Sequence, residues 1–298
     1  MEAEKVVFQT EAEWLKFRKG GIGGSEAPTI LGVNPYQSPL DLWAEKRGLV
    51  EGKEQTEQMA WGRRLQKAIT EGYEEETKRK VMDQGIHTFV NKKHEFIRYS
   101  ADGLILQGPG DLTPWIFEAK NTGHYTVQEI EDELPLHFQV QVQHGLFCLG
   151  LQMASIAILI RGNQLRWKDI ERNDAFIEQM IEKEREFWRM VQSGTPPDAD
   201  YRESTKDTIS KLYPKDTGAT VQLPPGAMNW AEQLFDAKAK IKVHEKIRDE
   251  QENKLKMAIG DNTFGILPNG GTFSWKWQER KAYEVKATEF RVLRRKGK

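Results

Sequence analysis

Met153 to Ile160 reads Met-Ala-Ser-Ile-Ala-Ile-Leu-Ile, an almost unbroken apolar run. A run of this length and character reads as a strand covered on both faces, which requires a sheet with layers on either side. The flanking segments supply those layers. Leu134 to Leu149 reads as a helix, Gln164 to Ile170 alternates like a hairpin partner, and Asn173 to Gln192 is a long amphipathic helix carrying Phe176, Met180, Ile181, Phe187 and Trp188. Upstream, Leu65, Ile69 and Tyr73 recur every four residues in a predicted helix over 57–80. Strand-like pieces follow at 86–91, 95–99, 103–106 and 115–120, with Gly108-Pro109-Gly110 as the turn between the last two. The order predicts an α/β fold, a mixed α+β sheet flanked by helices.

Before this core, Glu11 to Lys19 reads as a short helix that runs into the Gly-rich turn Gly20 to Glu26. Ser25 is placed to cap the next helix, and Pro39 opens another through Leu42, Trp43 and Lys46. A Pro-, Asp-, Ser- and Thr-rich break covers 193–217. Beyond it, Ala227 to Ile259 looks like one long charged helix, and Thr263 to Glu279 like a hairpin around Pro268-Asn269-Gly270-Gly271. The expected organisation is a core domain over 1–200, a linker over 201–217 and a helix-plus-hairpin appendage over 218–298 with a basic tail.

Composition narrows the class. At 38% hydrophobic and 30% charged, with no long apolar segment, the chain predicts no membrane partner. Met1 to Gln9 lacks the apolar core of a secretory signal. The single cysteine, Cys148, excludes an intramolecular disulfide and a four-cysteine iron–sulfur cluster, and a cytoplasmic location is the simplest expectation. No Gly-x-x-x-x-Gly-Lys-Ser/Thr motif marks an ATP-driven motor. With a net charge of −1, any nucleic acid must be met by local basic patches, such as Arg63-Arg64 with Lys67 or the tail residues Arg291, Arg294, Arg295, Lys296 and Lys298.

The chemistry-bearing residues sit in two of the predicted strands, Ser100-Ala101-Asp102-Gly103 and Phe117-Glu118-Ala119-Lys120. Asp and Glu are hard oxygen ligands suited to Mg²⁺ or Mn²⁺. Lys120, two residues after Glu118, falls on the same strand face. Two carboxylates and an ammonium converging on one point suit metal-assisted phosphodiester hydrolysis.

An ordered series extends this pair: Trp14-x-x-x-Arg18, Ser25-Glu26, Ala60-Trp61-Gly62, Ser100-x-Asp102-Gly103, Glu118-x-Lys120 and Gln141-x-Gln143. Over roughly residues 10–200 it resembles the phage lambda exonuclease / YqaJ-like viral recombinase nucleases of the restriction-endonuclease-like PD-(D/E)xK superfamily. The resemblance implies that Asp102, Glu118 and the Ala119 backbone carbonyl hold Mg²⁺ or Mn²⁺, two ions per site. Lys120 would orient the attacking water or steady charge on the scissile phosphate. Arg18 and Ser25, with Ser100 nearby, would bind the 5′-phosphate of a DNA end, with Glu26 as an ion-pair partner for Arg18. Gln141 and Gln143 would orient the water or contact DNA. His124 and His144 read as structural rather than as general bases.

One position departs from the pattern. The family places a Glu metal ligand four residues after the Gly of Ala-Trp-Gly, where this chain has Gln66. An amide oxygen can coordinate weakly or act through a water, but it carries no charge. Glu71 lies about 140° around the helix and cannot substitute. A natural variant that works with Gln, an engineered Glu→Gln change and a family member of reduced activity all remain open.

The function implied by the resemblance is a metal-dependent 5′→3′ exonuclease on linear double-stranded DNA. It would leave 3′ single-stranded overhangs for phage-type recombination in a bacterial host, as a homotrimer working with a single-strand annealing protein. Two alternatives stay open: a DNA-end-binding member with weak or absent catalysis, and a structure-specific endonuclease of the same fold. The appendage would serve contacts with another copy or partner, or pack on its own core.

Overall fold

The computed structural model describes residues 1–52, 56–83, 85–106, 113–282, 284 and 287–295. The predicted Gly108-Pro109-Gly110 turn and the tail residues Lys296 and Lys298 lie outside the described residues. The chain divides into two compact units, Met1–Pro214 and Lys215–Lys298.

The first unit opens with β1 (Ala3–Val7), α1 (Glu11–Arg18), β2 (Ile22–Gly23), α2 (Ala27–Ile30), α3 (Pro39–Lys46) and α4 (Glu57–Thr77). Strands β3 (Lys80–Met82), β4 (His87–Asn91), β5 (Ile97–Tyr99), β6 (Gly103–Leu106) and β7 (Trp115–Thr122) follow. Then come α5 (Val127–Asp132), α6 (Leu136–Leu149), β8 (Met153–Ile160), β9 (Gln164–Glu171), α7 (Asp174–Ser193) and α8 (Glu203–Leu212). The second unit holds α9 (Ala227–Ile259), β10 (Phe264–Ile266) and β11 (Thr272–Ser274).

Among the described residues of the first unit, a five-stranded sheet has the order β3-β6-β7-β8-β9 and a four-stranded sheet the order β1-β4-β5-β2. In the larger sheet β7 and β8 are parallel and the other pairings are antiparallel. A parallel pair needs a crossover, and α5 with α6 provides it. The apolar run becomes β8, with Ala154, Ile156, Ala157, Ile158 and Ile160 fully buried. One face of the sheet packs on α4 through Ile69, Tyr73, Phe117 and Ala157. Glu118 and Lys120, which point the other way from Phe117, are met by Gln141 of α6.

Three local expectations change. The predicted linker over 201–217 contains α8, whose Thr205 and Thr208 are buried and whose Leu212 packs against a cluster with Trp43 and Phe187. A polar sequence hid this helix because its few apolar contacts are made to residues distant in the chain. Ser25 caps nothing: α2 begins after Glu26, with no side-chain cap, and the Ser25 hydroxyl is turned to Arg18. Strand β1 was not predicted. It is recruited by antiparallel pairing with β4, Ala3 opposite Asn91, and alternates too weakly to announce itself.

Candidate active site

The end of β5, the turn into β6, the middle of β7 and one face of α6 meet at a cavity of about 370 Å³ lined by Arg18, Ser25, Gln66, Ser100, Asp102, Glu118 and Gln141, among others. Asp102 sits in the turn immediately before β6, not within a strand. The next residue must be glycine, because a Cβ at Gly103 would strike Val81 of β3. Strand alternation places Glu118 and Lys120 together, and Lys120 Nζ donates to Glu118 Oε1 at 2.7 Å.

The Asp102 carboxylate accepts from the Ala119 N–H at 2.8 Å and from Gln66 Nε2 at 3.0 Å. Gln66 thus reaches the site from α4 and, in the amide orientation assigned, serves as a donor to Asp102. Gln141 accepts from Lys120 Nζ at 2.9 Å and donates to Glu118 Oε1. Burial, reinforced by the neighbouring Glu118 charge, raises the Asp102 carboxyl to about 7, against the pull of Lys120. Two carboxylates held this close repel each other unless a cation joins them.

Among the described residues no group of three or more His, Cys, Asp or Glu converges as a ready-made metal cluster. The donor chemistry nonetheless fits Mg²⁺ or Mn²⁺. A hard divalent ion of this size is commonly held by one or two carboxylates, with waters and substrate phosphates completing its shell. Each carboxylate offers about four acceptor sites, and the hydrogen bonds of Asp102 leave both its oxygens with capacity to spare.

One further side chain, not singled out from sequence, completes the carboxylate half. Tyr99 is buried, and its hydroxyl donates to Glu118 Oε2 at 2.6 Å. Its ring fills the space left by two glycines: a Cβ at Gly24 would lie 2.5 Å from the ring, and one at Gly145 2.6 Å. Tyr99 therefore ties Glu118 to the Gly-rich turn and to α6 at once. Trp14 Nε1 donates to Ser100 Oγ at 3.1 Å, and Ser100 shares a second hydrogen bond of 2.8 Å with Thr88. The only local signal for Tyr99 was its place beside Ser100; its contacts are to residues far along the chain. Gly24→Ala is expected to destabilise the fold by about 1–3 kcal/mol by overpacking against this ring, checked by urea denaturation. An unchanged midpoint would mean the ring moves freely.

The other half of the cavity is basic. The spacing Trp14-x-x-x-Arg18 puts both on one face of α1, and the guanidinium stacks over the indole, 4.9 Å from its centroid. Arg18 donates to Ser25 Oγ at 3.0 Å. Glu26 pairs with Arg18 at 4.0 Å, as expected, and more closely with Lys46 of α3 at 2.7 Å. Burial lowers the Lys46 pKa, and Glu26 works against that shift.

Gln143 does not belong to the site. Its Nε2 donates to the Glu171 carbonyl at 2.7 Å and its Oε1 accepts from the Asn173 N–H at 2.9 Å. Residues two apart on a helix point about 200° away from each other, so Gln141 and Gln143 cannot share a target. His144 is fully buried, bonded to Glu184 and to the Arg98 carbonyl, and His124 is exposed outside the cavity lining.

Residues 13–152 match the model of the YqaJ-like viral recombinase domain. The uncharacterised protein YqaJ of Bacillus subtilis (strain 168) is 32% identical over 263 residues, covering 86% of this chain and 81% of that protein. The fold is similar to the crystal structure of an alkaline exonuclease, LHK-Exo, from Laribacter hongkongensis, with a TM-score of 0.52, 21% identity, and coverage of 68% of this chain and all of that one. The same exonuclease in complex with dAMP gives a TM-score of 0.50 at 19% identity, with the same coverage. The mixed sheet flanked by helices is thus the fold that the LHK-Exo structures also have. By its domain match and its likeness to YqaJ over 86% of its length, the chain belongs to the YqaJ-like viral recombinase family.

Proposed function

We propose that this protein is a Mg²⁺- or Mn²⁺-dependent 5′→3′ exonuclease that hydrolyses one strand of linear double-stranded DNA and leaves 3′ single-stranded overhangs. The observation that carries the reading is the shared cavity, in which Asp102, Glu118 and Gln141 face one space with the Arg18–Ser25 pair, while Lys120 is bonded to Glu118 and Gln141 behind the lining. The Arg18 fork and the Ser25 hydroxyl match a terminal 5′-phosphate. Asp102, Glu118 and the Ala119 carbonyl would hold the ion, with Gln66 contributing weakly or through water. The ion supplies Lewis-acid stabilisation of charge on the reacting phosphate. Lys120, set between Glu118 and Gln141, steadies negative charge or orients water, and Tyr99 holds the Glu118 carboxylate in place.

The test is loss of 5′-phosphorylated linear duplex in Mg²⁺ while closed circles are spared. Equal cutting of circles would favour a structure-specific endonuclease instead. Arg18→Ala is expected to reduce the preference for a 5′-phosphate over a 5′-hydroxyl by about tenfold or more, as expected for a lost charge-assisted hydrogen bond. Equal preference in parent and variant would remove Arg18 from the phosphate site.

A second reading, a DNA-end-binding protein with little catalysis, is favoured by Gln66 donating to Asp102 where the family has a carboxylate. Gln66→Glu decides between them. Slow turnover in the parent with a large gain in the variant supports the second reading; robust parental turnover with no gain ends it. Cytoplasmic action, a homotrimer and a single-strand annealing protein as companion belong to the same proposal and rest on the family resemblance; sizing in solution checks the trimer.

A further inference from the structure

The likeness to the Bacillus subtilis relative covers 86% of the chain, more than the first unit alone provides, so it extends into the second. There the charge balance changes sharply. Residues 272–298 carry nine Lys or Arg against three Glu, in a chain whose net charge is −1. Aromatic residues are interleaved with these cations: Phe273, Trp275 and Trp277 alternate with Ser274, Lys276 and Gln278, and Arg280 and Lys281 follow.

The local structure keeps these rings accessible. Strands β10 and β11 pair with Gly265 opposite Phe273, and the Trp275 N–H donates to the Thr263 carbonyl at 2.9 Å, one step past β11. The hairpin is seated on the end of α9, where a Cβ at Gly265 would lie 2.8 Å from Ile259 Cγ1. Even so, Trp277 is 85% exposed, Phe264 55% and Trp275 50%. Lys276 Nζ lies 5.1 Å from the Phe264 ring centroid, which places a cation beside an open ring face.

Flat rings and cations in alternation match a ligand with flat faces and a regular anionic backbone. A duplex hides its base faces; a single strand offers bases and phosphates together. We propose that hairpin β10–β11, with the segment through Lys281, is a binding site for single-stranded nucleic acid. Bases stack on Trp275 and Trp277, and Lys276, Arg280 and Lys281 meet phosphates. The site rests on the exonuclease reading only for the origin of the strand, its 3′ overhang.

The test uses the full chain in chelator, so that binding is read without cleavage, with a labelled oligo(dT) of about 20 nucleotides, longer than one such site spans. Binding is expected to quench tryptophan fluorescence. Trp275→Ala/Trp277→Ala is expected to weaken it about tenfold or more, and Lys276→Ala/Arg280→Ala/Lys281→Ala to flatten its salt dependence. The Trp277→Ala variant alone, at a largely exposed position, keeps the test valid if the double variant misfolds. Unchanged oligo(dT) affinity in these tryptophan variants overturns the proposal. So does a change in mass by light scattering, which would make the rings an interface between copies, or an affinity for acidic protein surfaces exceeding that for oligo(dT). Failure of the exonuclease reading registers separately, as duplex that survives Mg²⁺ while oligo(dT) binding persists.

Discussion

Asp102→Asn is expected to lower Mg²⁺-dependent cleavage of linear duplex by about 10³-fold or more, on the scale of losing a group that acts on the reacting centre. The variant keeps the shape of the side chain and removes its charge, so the proposed ion would lose one of the two carboxylates assigned to it. The fold should survive. The asparagine oxygen can still accept from the Ala119 N–H, and a flip of the Gln66 amide presents its oxygen to the new amide hydrogens. Neutralising a carboxyl that burial and Glu118 already press toward its protonated form removes a repulsion. The denaturation midpoint is therefore expected at or above the parent's, with duplex binding in chelator retained. Cleavage within tenfold of the parent would remove Asp102 from the catalytic centre. A collapsed midpoint would make its role structural.

His144→Ala is expected to destabilise the first unit by about 3–5 kcal/mol, as for the breaking of a buried ion pair. His144 and Glu184 are fully buried, their nearest polar atoms 2.8 Å apart, and the other ring nitrogen lies 2.9 Å from the Arg98 carbonyl. Both neighbours accept, so an imidazolium satisfies both. Glu184 Oε2 has no hydrogen-bond partner among the described residues, and loss of the imidazole would leave its carboxylate wholly unpaired. Replacing both residues by apolar side chains of similar volume is expected to recover most of the loss. A cost below about 1 kcal/mol in the single variant would show that the pair is not a staple between α6 and α7.

The same pair gives a pH dependence. Burial alone would lower the His144 pKa, but the Glu184 charge and hydrogen bond, with the Arg98 carbonyl and the more distant Glu26, outweigh it and raise it. The Tyr99 ring, 6.4 Å away, also faces it. A raised folded pKa means the stabilisation is complete below the unfolded value of about 6.5 and is lost as pH rises through the folded value. Urea midpoints across this window should fall more for the parent than for Glu184→Gln. Parallel profiles would contradict the assignment.

Much of the fold was legible because its signals are local. The apolar run of β8, the four-residue recurrence in α4 and the alternation of Glu118 with Phe117 follow from strand and helix periods alone. The sites of Asp102, Glu118, Lys120 and Gln141 could be named, and the structure brings Asp102, Glu118 and Gln141 to one cavity and bonds Lys120 to the last two. Strand β1 and helix α8 were illegible, because each is held by residues remote in the chain rather than by its own pattern. Gln143 shows the opposite failure: a two-residue spacing that pairs side chains on a strand separates them on a helix.

By itself the sequence determined which residue types are available for chemistry: two carboxylates, an ammonium, an Arg–Ser pair, and Gln where a third carboxylate is usual. Tertiary structure alone decided their partners. Only folding brings Tyr99 onto Glu118, Lys46 onto Glu26 and Gln66 onto Asp102, because these contacts join elements whose approach is set by packing between layers, which no local period encodes.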